Sequence, residues 1–211
     1  MQIQQRPYLS DPKQFSNVSD FMAEILARRG VQSEKELDLK LKYLLAPTMK
    51  GLQRAIDLVN DAIDQQLKIV IVGDYDADGA TSTALMILAL REMGANVEYL
   101  VPDRFKYGYG LTPKIADLAF ERFQPDLLIT VDNGISSHVG VKQAQSYGMK
   151  VIITDHHLTT KEIPDAEAVV NPNQLGCDFP SKALAGVGVA FYLLANLSSQ
   201  RTQAGKSSAK M

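Results

Sequence analysis

The sequence predicts an α/β protein: a doubly wound, mostly parallel sheet of about five strands with helices on both faces, preceded by a helical N-terminal segment. Three observations carry this expectation. From Lys68 onward, short continuous apolar runs recur between Gly and Asp residues, the texture of strands buried on both faces. Helical stretches separate these runs at about 30 residues per unit, which suits right-handed βαβ crossovers. Before Lys68 there is no strand pattern, only apolar residues at helical spacing.

In chain order, residues 19–29 carry Phe21, Met22, Ile25 and Leu26 at helical spacing, and Gly30 follows as a stop. A second helix is expected from a Ser33 cap, with Glu36 three residues on in the capping-box pattern, towards Leu45 before Pro47. Leu52, Ile56, Val59 and Ile63 give a third helix one apolar face. Residues 1–66 therefore read as a helical lead-in. The predicted strands are 69–72, 97–101, 127–131, 151–154 and 168–170. The helices between them are 81–93, 113–123 and 137–147, the first and last ended by Gly94 and Gly148. With a last helix over 187–197, the α/β domain spans 67–197. Residues 198–211 contain almost nothing that could enter a core and are expected to be a disordered tail.

With 211 residues, 45% of them hydrophobic, the chain can bury a substantial core. No apolar run reaches the length of a membrane span, and the polar start lacks a signal-peptide core, so a cytoplasmic protein away from membranes is expected. The lone Cys177 allows neither an internal disulfide nor a thiolate zinc site, in keeping with a reducing compartment. A formal charge of −2 gives no global attraction to a polyanion. Carboxylates committed to cations would nonetheless reverse the local sign.

In open α/β sheets, ligands bind at the carboxyl edge, where loops converge. Three predicted strand ends carry unusual polar groups there: Asp74-Tyr75-Asp76-Ala77-Asp78-Gly79, Asp132-Asn133-Gly134 and Asp155-His156-His157. Singly, such residues are ordinary turn and cap formers. Together, at neighbouring strand ends, they would repel or stay unpaired without cations. An EF-hand loop fails, because Leu85 stands where a bidentate Glu is needed and the loop follows a strand. A P-loop fails for want of Gly-Lys-Ser/Thr. The donor set suits two Mn²⁺ or Mg²⁺ ions, held by Asp74, Asp76, Asp78, Asp132 and His156. Two such ions are the usual equipment for phosphodiester hydrolysis. Because side chains alternate along a strand, His156 is expected to be the ligand and His157 to contact a phosphate or to support the ligands from behind. Asp76, Asp78, Asp132, His156 and His157 are thus the expected catalytic residues.

These three motifs resemble those of the DHH phosphoesterases, most closely the RecJ branch. Pro102-Asp103-Arg104-Phe105, Gly108-Tyr109-Gly110-Leu111, Asn171-Pro172-Asn173 and 184–190 add to the likeness, which covers roughly residues 5–197. The resemblance implies a Mn²⁺- or Mg²⁺-dependent, single-strand-specific 5′→3′ exodeoxyribonuclease of recombination and repair, with single-stranded DNA as substrate and repair proteins as partners. Val72 stands where some members of the family have a histidine, and the chain stops before the family's fourth motif, so it is expected to be the N-terminal part of a longer enzyme.

Arg104 and Tyr109 lie in a Gly-rich loop with Phe105, Lys106 and Tyr107, a composition suited to phosphate contact and base stacking. Gly186 and Gly188 open a helix whose N-terminus could meet a phosphate or pack tightly on the sheet. Two other readings remain open at this point: the same chemistry on short oligonucleotides, cyclic dinucleotides or pyrophosphate, or a non-catalytic nucleic-acid-binding scaffold.

Overall fold

In the computed structural model, which describes residues 4–38, 40–159 and 162–210, the chain divides into two units, Met1–Leu45 and Ala46–Met211. In the first, helix α1 (Asp20–Arg29) starts where the Ser19 side chain accepts the Met22 N–H and stops at Gly30, in the left-handed conformation at φ 85°. Its buried face is Ala23 and Ala27, packed with Phe15. Phe21 and Met22, expected on the apolar stripe, are exposed. The helix expected from Ser33 to Leu45 is instead two short 3-10 turns, Glu34–Leu37 and Leu41–Tyr43. Glu36 does accept the Ser33 N–H. Asp38 then turns extended and takes the Lys40 N–H on its side chain, an alternative to continuing the helix.

The second unit begins with α2 (Leu52–Asp64). The predicted lead-in ended at residue 66, yet α2 belongs to this unit, where it packs against the last helix and the last strand. Five strands follow: β1 (Lys68–Val72), β2 (Asn96–Leu100), β3 (Leu127–Val131), β4 (Lys150–Thr154) and β5 (Ala168–Val170). Between and after them run α3 (Ala77–Glu92), α4 (Arg104–Tyr107), α5 (Pro113–Phe123), α6 (His138–Ser146) and α7 (Gly186–Gln203).

The strand order is β2-β1-β3-β4-β5, every neighbouring pair parallel. Alternating side chains divide the core. Ile69, Ile71, Leu127 and Ile129 face α2, α3 and α7, whereas Val70, Val72, Leu128 and Val151 face α5 and α6. Helices thus cover both faces, as the uninterrupted apolar strands require.

Residues 198–210 correct the expectation of a disordered tail. α7 continues to Gln203, and Ser198, Arg201 and Ala209 are buried. Arg201 donates to Asn60 and Asp64 of α2 at 2.7 and 2.9 Å, and Ser207 Oγ donates to the Met93 carbonyl at 2.6 Å. The segment is held by polar contacts, which a count of apolar residues does not register.

Candidate metal centre

The chain reverses its direction of travel across the sheet at β1, whose neighbours β2 and β3 lie on opposite sides. A crevice therefore opens beyond the carboxyl ends of β1 and β3. The first loop places Asp76 as the cap of α3, its Oδ1 accepting the Gly79 N–H at 2.9 Å. Asp78, in the first turn of α3, accepts the Gly186 and Val187 amides at the start of α7, both at 2.7 Å. It sits where a helix N-terminus stabilises an anion.

Asp132 follows β3 with φ 60°, a left-handed conformation uncommon outside glycine. Its side chain is 3% exposed. Oδ1 has no hydrogen-bond partner, although His156 Nε2 lies 3.1 Å away, off the line of a hydrogen bond. The same Nε2 is 3.5 Å from Asp78 Oδ2. Burial first, then the charges of Asp78 and Asp76, push the Asp132 carboxyl up to about 7. Gly186 permits this crowding: a Cβ there would lie 2.6 Å from Asp132 Oδ1. Among the described residues, the buried side-chain N and O atoms without a partner are Arg104 Nε, Asp132 Oδ1 and Asn133 Oδ1. All three lie in the segments that follow strands at this carboxyl edge, Arg104 at the start of α4 and Asp132 and Asn133 in the loop after β3, whereas buried polar groups are ordinarily satisfied.

His156 and His157 lie beyond the end of β4, so the alternation that separated them in the sequence reading does not operate. Their ring centroids are 4.7 Å apart, and one donor atom each from Asp132, His156 and His157 falls within 4.8 Å of the others. His157 thus joins the cluster from which the sequence reading of metal ligands left it out. Its Nδ1 lies 2.7 Å from Asp155 Oδ1, which assigns the proton to Nδ1 and leaves Nε2 on the other side of the ring, 3.5 Å from the Tyr109 hydroxyl. Burial pulls the His157 pKa down, but the Asp155 hydrogen bond and charge outweigh it, and the net shift is upward.

Sequence reasoning missed the part played by Asp155. Only 1% exposed, it accepts the His156 and His157 amides on Oδ1 at 2.7 and 3.1 Å and the Ile135 amide on Oδ2 at 2.9 Å. It joins the β3 and β4 loops. Its place immediately after a predicted buried strand was the available signal.

Three expectations change. Asp74 is committed elsewhere: Oδ2 pairs with Arg104, and Oδ1 accepts the Tyr75 N–H at 2.8 Å. Arg104 is correspondingly engaged through one guanidinium nitrogen, held by Asp74 and stacked 4.1 Å over the Tyr75 ring and 5.4 Å from that of Tyr109, while its Nε has no partner. The α7 amides are not open to a phosphate either, because Asp78 occupies those of Gly186 and Val187, and the Gly188 N–H donates to the Ala185 carbonyl at 2.9 Å. Gly188 serves packing against Leu184, which a Cβ would meet at 2.5 Å. Tyr109 does reach the site. Its hydroxyl is 3.4 Å from the Asp132 carbonyl and 3.5 Å from His157 Nε2. Burial, then the charges of Asp155 and Asp132, raise its pKa and keep it a donor. A cavity of about 200 Å³ adjoins it, lined by Tyr109, Ile135, Ser136, His157 and Leu158 among others.

Residues 68–211 match the profile of the DHH family, N-terminal domain. The chain is 51% identical over 175 residues to the single-stranded-DNA-specific exonuclease RecJ of Escherichia coli, covering 82% of this chain and 30% of that protein. It is 54% identical over 168 residues to RecJ of Haemophilus influenzae, covering 79% and 29%. It therefore spans about a third of these relatives' length. Among solved structures, exonuclease RecJ bound to manganese superposes with a TM-score of 0.67 at 37% identity, over 77% of this chain and 40% of that one. RecJ of Thermus thermophilus in complex with Mn²⁺ gives 0.69 at 34% identity, over 90% and 26%. With a profile match over most of its length, and with the three strand-end motifs gathered at one crevice, the chain belongs to the DHH family.

Proposed function

We propose that the chain is the catalytic N-terminal portion of a two-metal phosphodiesterase, a RecJ-like exonuclease that removes nucleotides 5′→3′ from single-stranded DNA in recombination and repair. The observation that carries this reading is Asp132 Oδ1, a buried carboxylate oxygen without a hydrogen-bond partner beside His156 Nε2. Such an atom is costly unless a cation meets it. The mixed carboxylate and imidazole set fits Mn²⁺ or Mg²⁺.

Asp76, Asp78, Asp132 and His156 would hold the ions. When bound, such a pair lowers the pKa of a water and offsets charge on the phosphoryl oxygens. His156 stands between Asp78 and Asp132, which favours it as the imidazole ligand. His157 Nε2 also lies beside the Tyr109 hydroxyl, and its Asp155 partner supports a protonated ring that donates to a phosphate. Tyr109 adds a second donor. Phe105, 91% exposed, and Tyr75 offer faces on which bases of a single strand can stack, and this favours a polynucleotide over cyclic dinucleotides or pyrophosphate. Asp74 acts through Arg104, fixing the aromatic loop over the crevice. Among the described residues no helix is long and apolar enough to cross a membrane. With the lone thiol this supports a cytoplasmic setting, where repair proteins would be its partners.

Titration calorimetry with Mn²⁺, beside a nuclease assay on 5′-phosphorylated single-stranded DNA, cyclic dinucleotide and pyrophosphate, tests the proposal. Saturable Mn²⁺ binding that Asp132→Ala removes, with cleavage confined to the DNA, is expected. No saturable binding by the parent chain would overturn the metal assignment, and preference for a small substrate would overturn the exonuclease reading.

A further inference from the structure

The two histidines occupy a stretch without regular secondary structure, yet all four of their main-chain polar groups are held. Asp155 takes both N–H groups. Asn171 Nδ2 donates to the His157 carbonyl at 3.0 Å, and Asn173 Nδ2 donates to the His156 carbonyl. Strand register explains the meeting. Thr154 of β4 pairs with Val170 of β5, and the Asp155 N–H donates to the Val170 carbonyl at 3.1 Å, so residues 156–157 and 171–173 emerge side by side where the ladder ends. Side-chain amides then take over from the ladder.

We propose that Asn171 and Asn173 are positioning residues of the metal centre, holding the His156-His157 backbone so that both rings face Asp132; the inference rests on the metal-binding reading above. The pair acts as one unit, because Asn171 Oδ1 accepts the Asn173 N–H at 2.7 Å. That bond also fixes which end of the Asn171 amide meets His157. The turn carrying them is stiff. Pro172 lies between them with its restricted φ, the Gln174 N–H donates to the Asn171 carbonyl at 3.2 Å, and Lys182 Nζ donates to the Pro172 and Cys177 carbonyls at 2.6 and 2.8 Å. Asn171 is fully buried, at 0% exposure. Without the asparagine donors the two carbonyls would lose their partners, and the imidazoles would lose their fixed approach to the carboxylate.

The test uses Asn173→Ala and Asn171→Asp in the intact chain, the second keeping the shape and the acceptor while turning an oxygen towards the His157 carbonyl. Histidine side-chain NMR on the metal-free protein is expected to show the His156 and His157 ring signals moving, with His138 as the internal comparator. Mn²⁺ affinity by calorimetry is expected to fall by roughly tenfold or more, with Asn173→Ala still unfolding in one cooperative transition. Asn173→Gln, which retains an amide donor, is expected to recover part of the loss. Unmoved His156 and His157 signals in both variants, with parental Mn²⁺ affinity, would overturn the proposal. A parent chain that binds no Mn²⁺ would overturn the metal reading alone, because the metal-free ring signals still decide whether the asparagines set the histidines. If Asn171→Asp fails to fold, Asn173→Ala decides.

Discussion

Asp132 Oδ1 and His156 Nε2 face each other at 3.1 Å without a hydrogen bond between them. The carboxylate, raised to about 7 from an ordinary value of 3.8, holds a proton in the folded chain that the unfolded chain releases. Between these values the folded state binds more protons, so this contribution to stability is present in acid and is lost as pH rises through about 7. His157, also raised, acts in the same direction above its ordinary value. The metal-free protein should therefore melt at a higher temperature at pH 6 than at pH 8. Saturating Mn²⁺, which competes with those protons, should reverse the order. Asp132→Asn should flatten the metal-free slope and abolish the Mn²⁺-induced rise. Thermal melts at both pH values, with and without Mn²⁺, check this; an Asp132→Asn profile like the parent's would contradict it.

Asp78→Ala should destabilise the chain by about 2 kcal/mol, since two amides of α7 lose a charged acceptor. His156→Ala should cost less, although both should eliminate Mn²⁺ binding. Urea titrations of the two variants separate these effects, and an Asp78→Ala midpoint equal to the parent's would show that the α7 contact contributes nothing.

Gly186→Ala inverts the usual helix preference, under which alanine is favoured by about 1 kcal/mol. The added methyl meets Asp132 Oδ1 at 2.6 Å and Cβ at 2.8 Å. Overpacking of this kind costs about 1 to 3 kcal/mol, so a lower melting temperature and weaker Mn²⁺ binding are expected. A stabilised variant would show that the crevice has room.

Phe105→Ala should leave stability within about 0.5 kcal/mol, because the ring is almost wholly exposed. If bases stack there, affinity for single-stranded DNA should fall by about 1 kcal/mol or more. Fluorescence anisotropy with a labelled oligonucleotide, in the presence of Mn²⁺, measures it.

Much of the sheet was legible because buried parallel strands leave uninterrupted apolar runs. Residues 127–131 and 168–170 matched their strands residue for residue. The convergence of Asp78, Asp132 and His156 followed from the rule that loops meet at the carboxyl edge. What stayed hidden depended on partners distant in the chain. Nothing local in Asp74 says that Arg104 engages it, and nothing in Gly186 says that its amide serves Asp78. The strand rule used to separate His156 from His157 does not apply to them, because they lie two and three residues past the strand's end. The Ser33 helix failed because Asp38 offered the backbone a competing turn, and the tail was misread because serine and arginine anchored it.

The grip of α7 on Asp78 spans 108 residues of chain, and this separation orders events during synthesis. The first loop leaves the ribosome long before the helix that completes its environment, so in a nascent chain Asp78 lacks its two amide donors until α7 docks. Fixing of the Asp78 carboxylate then becomes a late step, coupled to closure of the whole α/β layer. Pulse-labelling hydrogen exchange during refolding should find the Gly186 and Val187 amides among the last to gain protection.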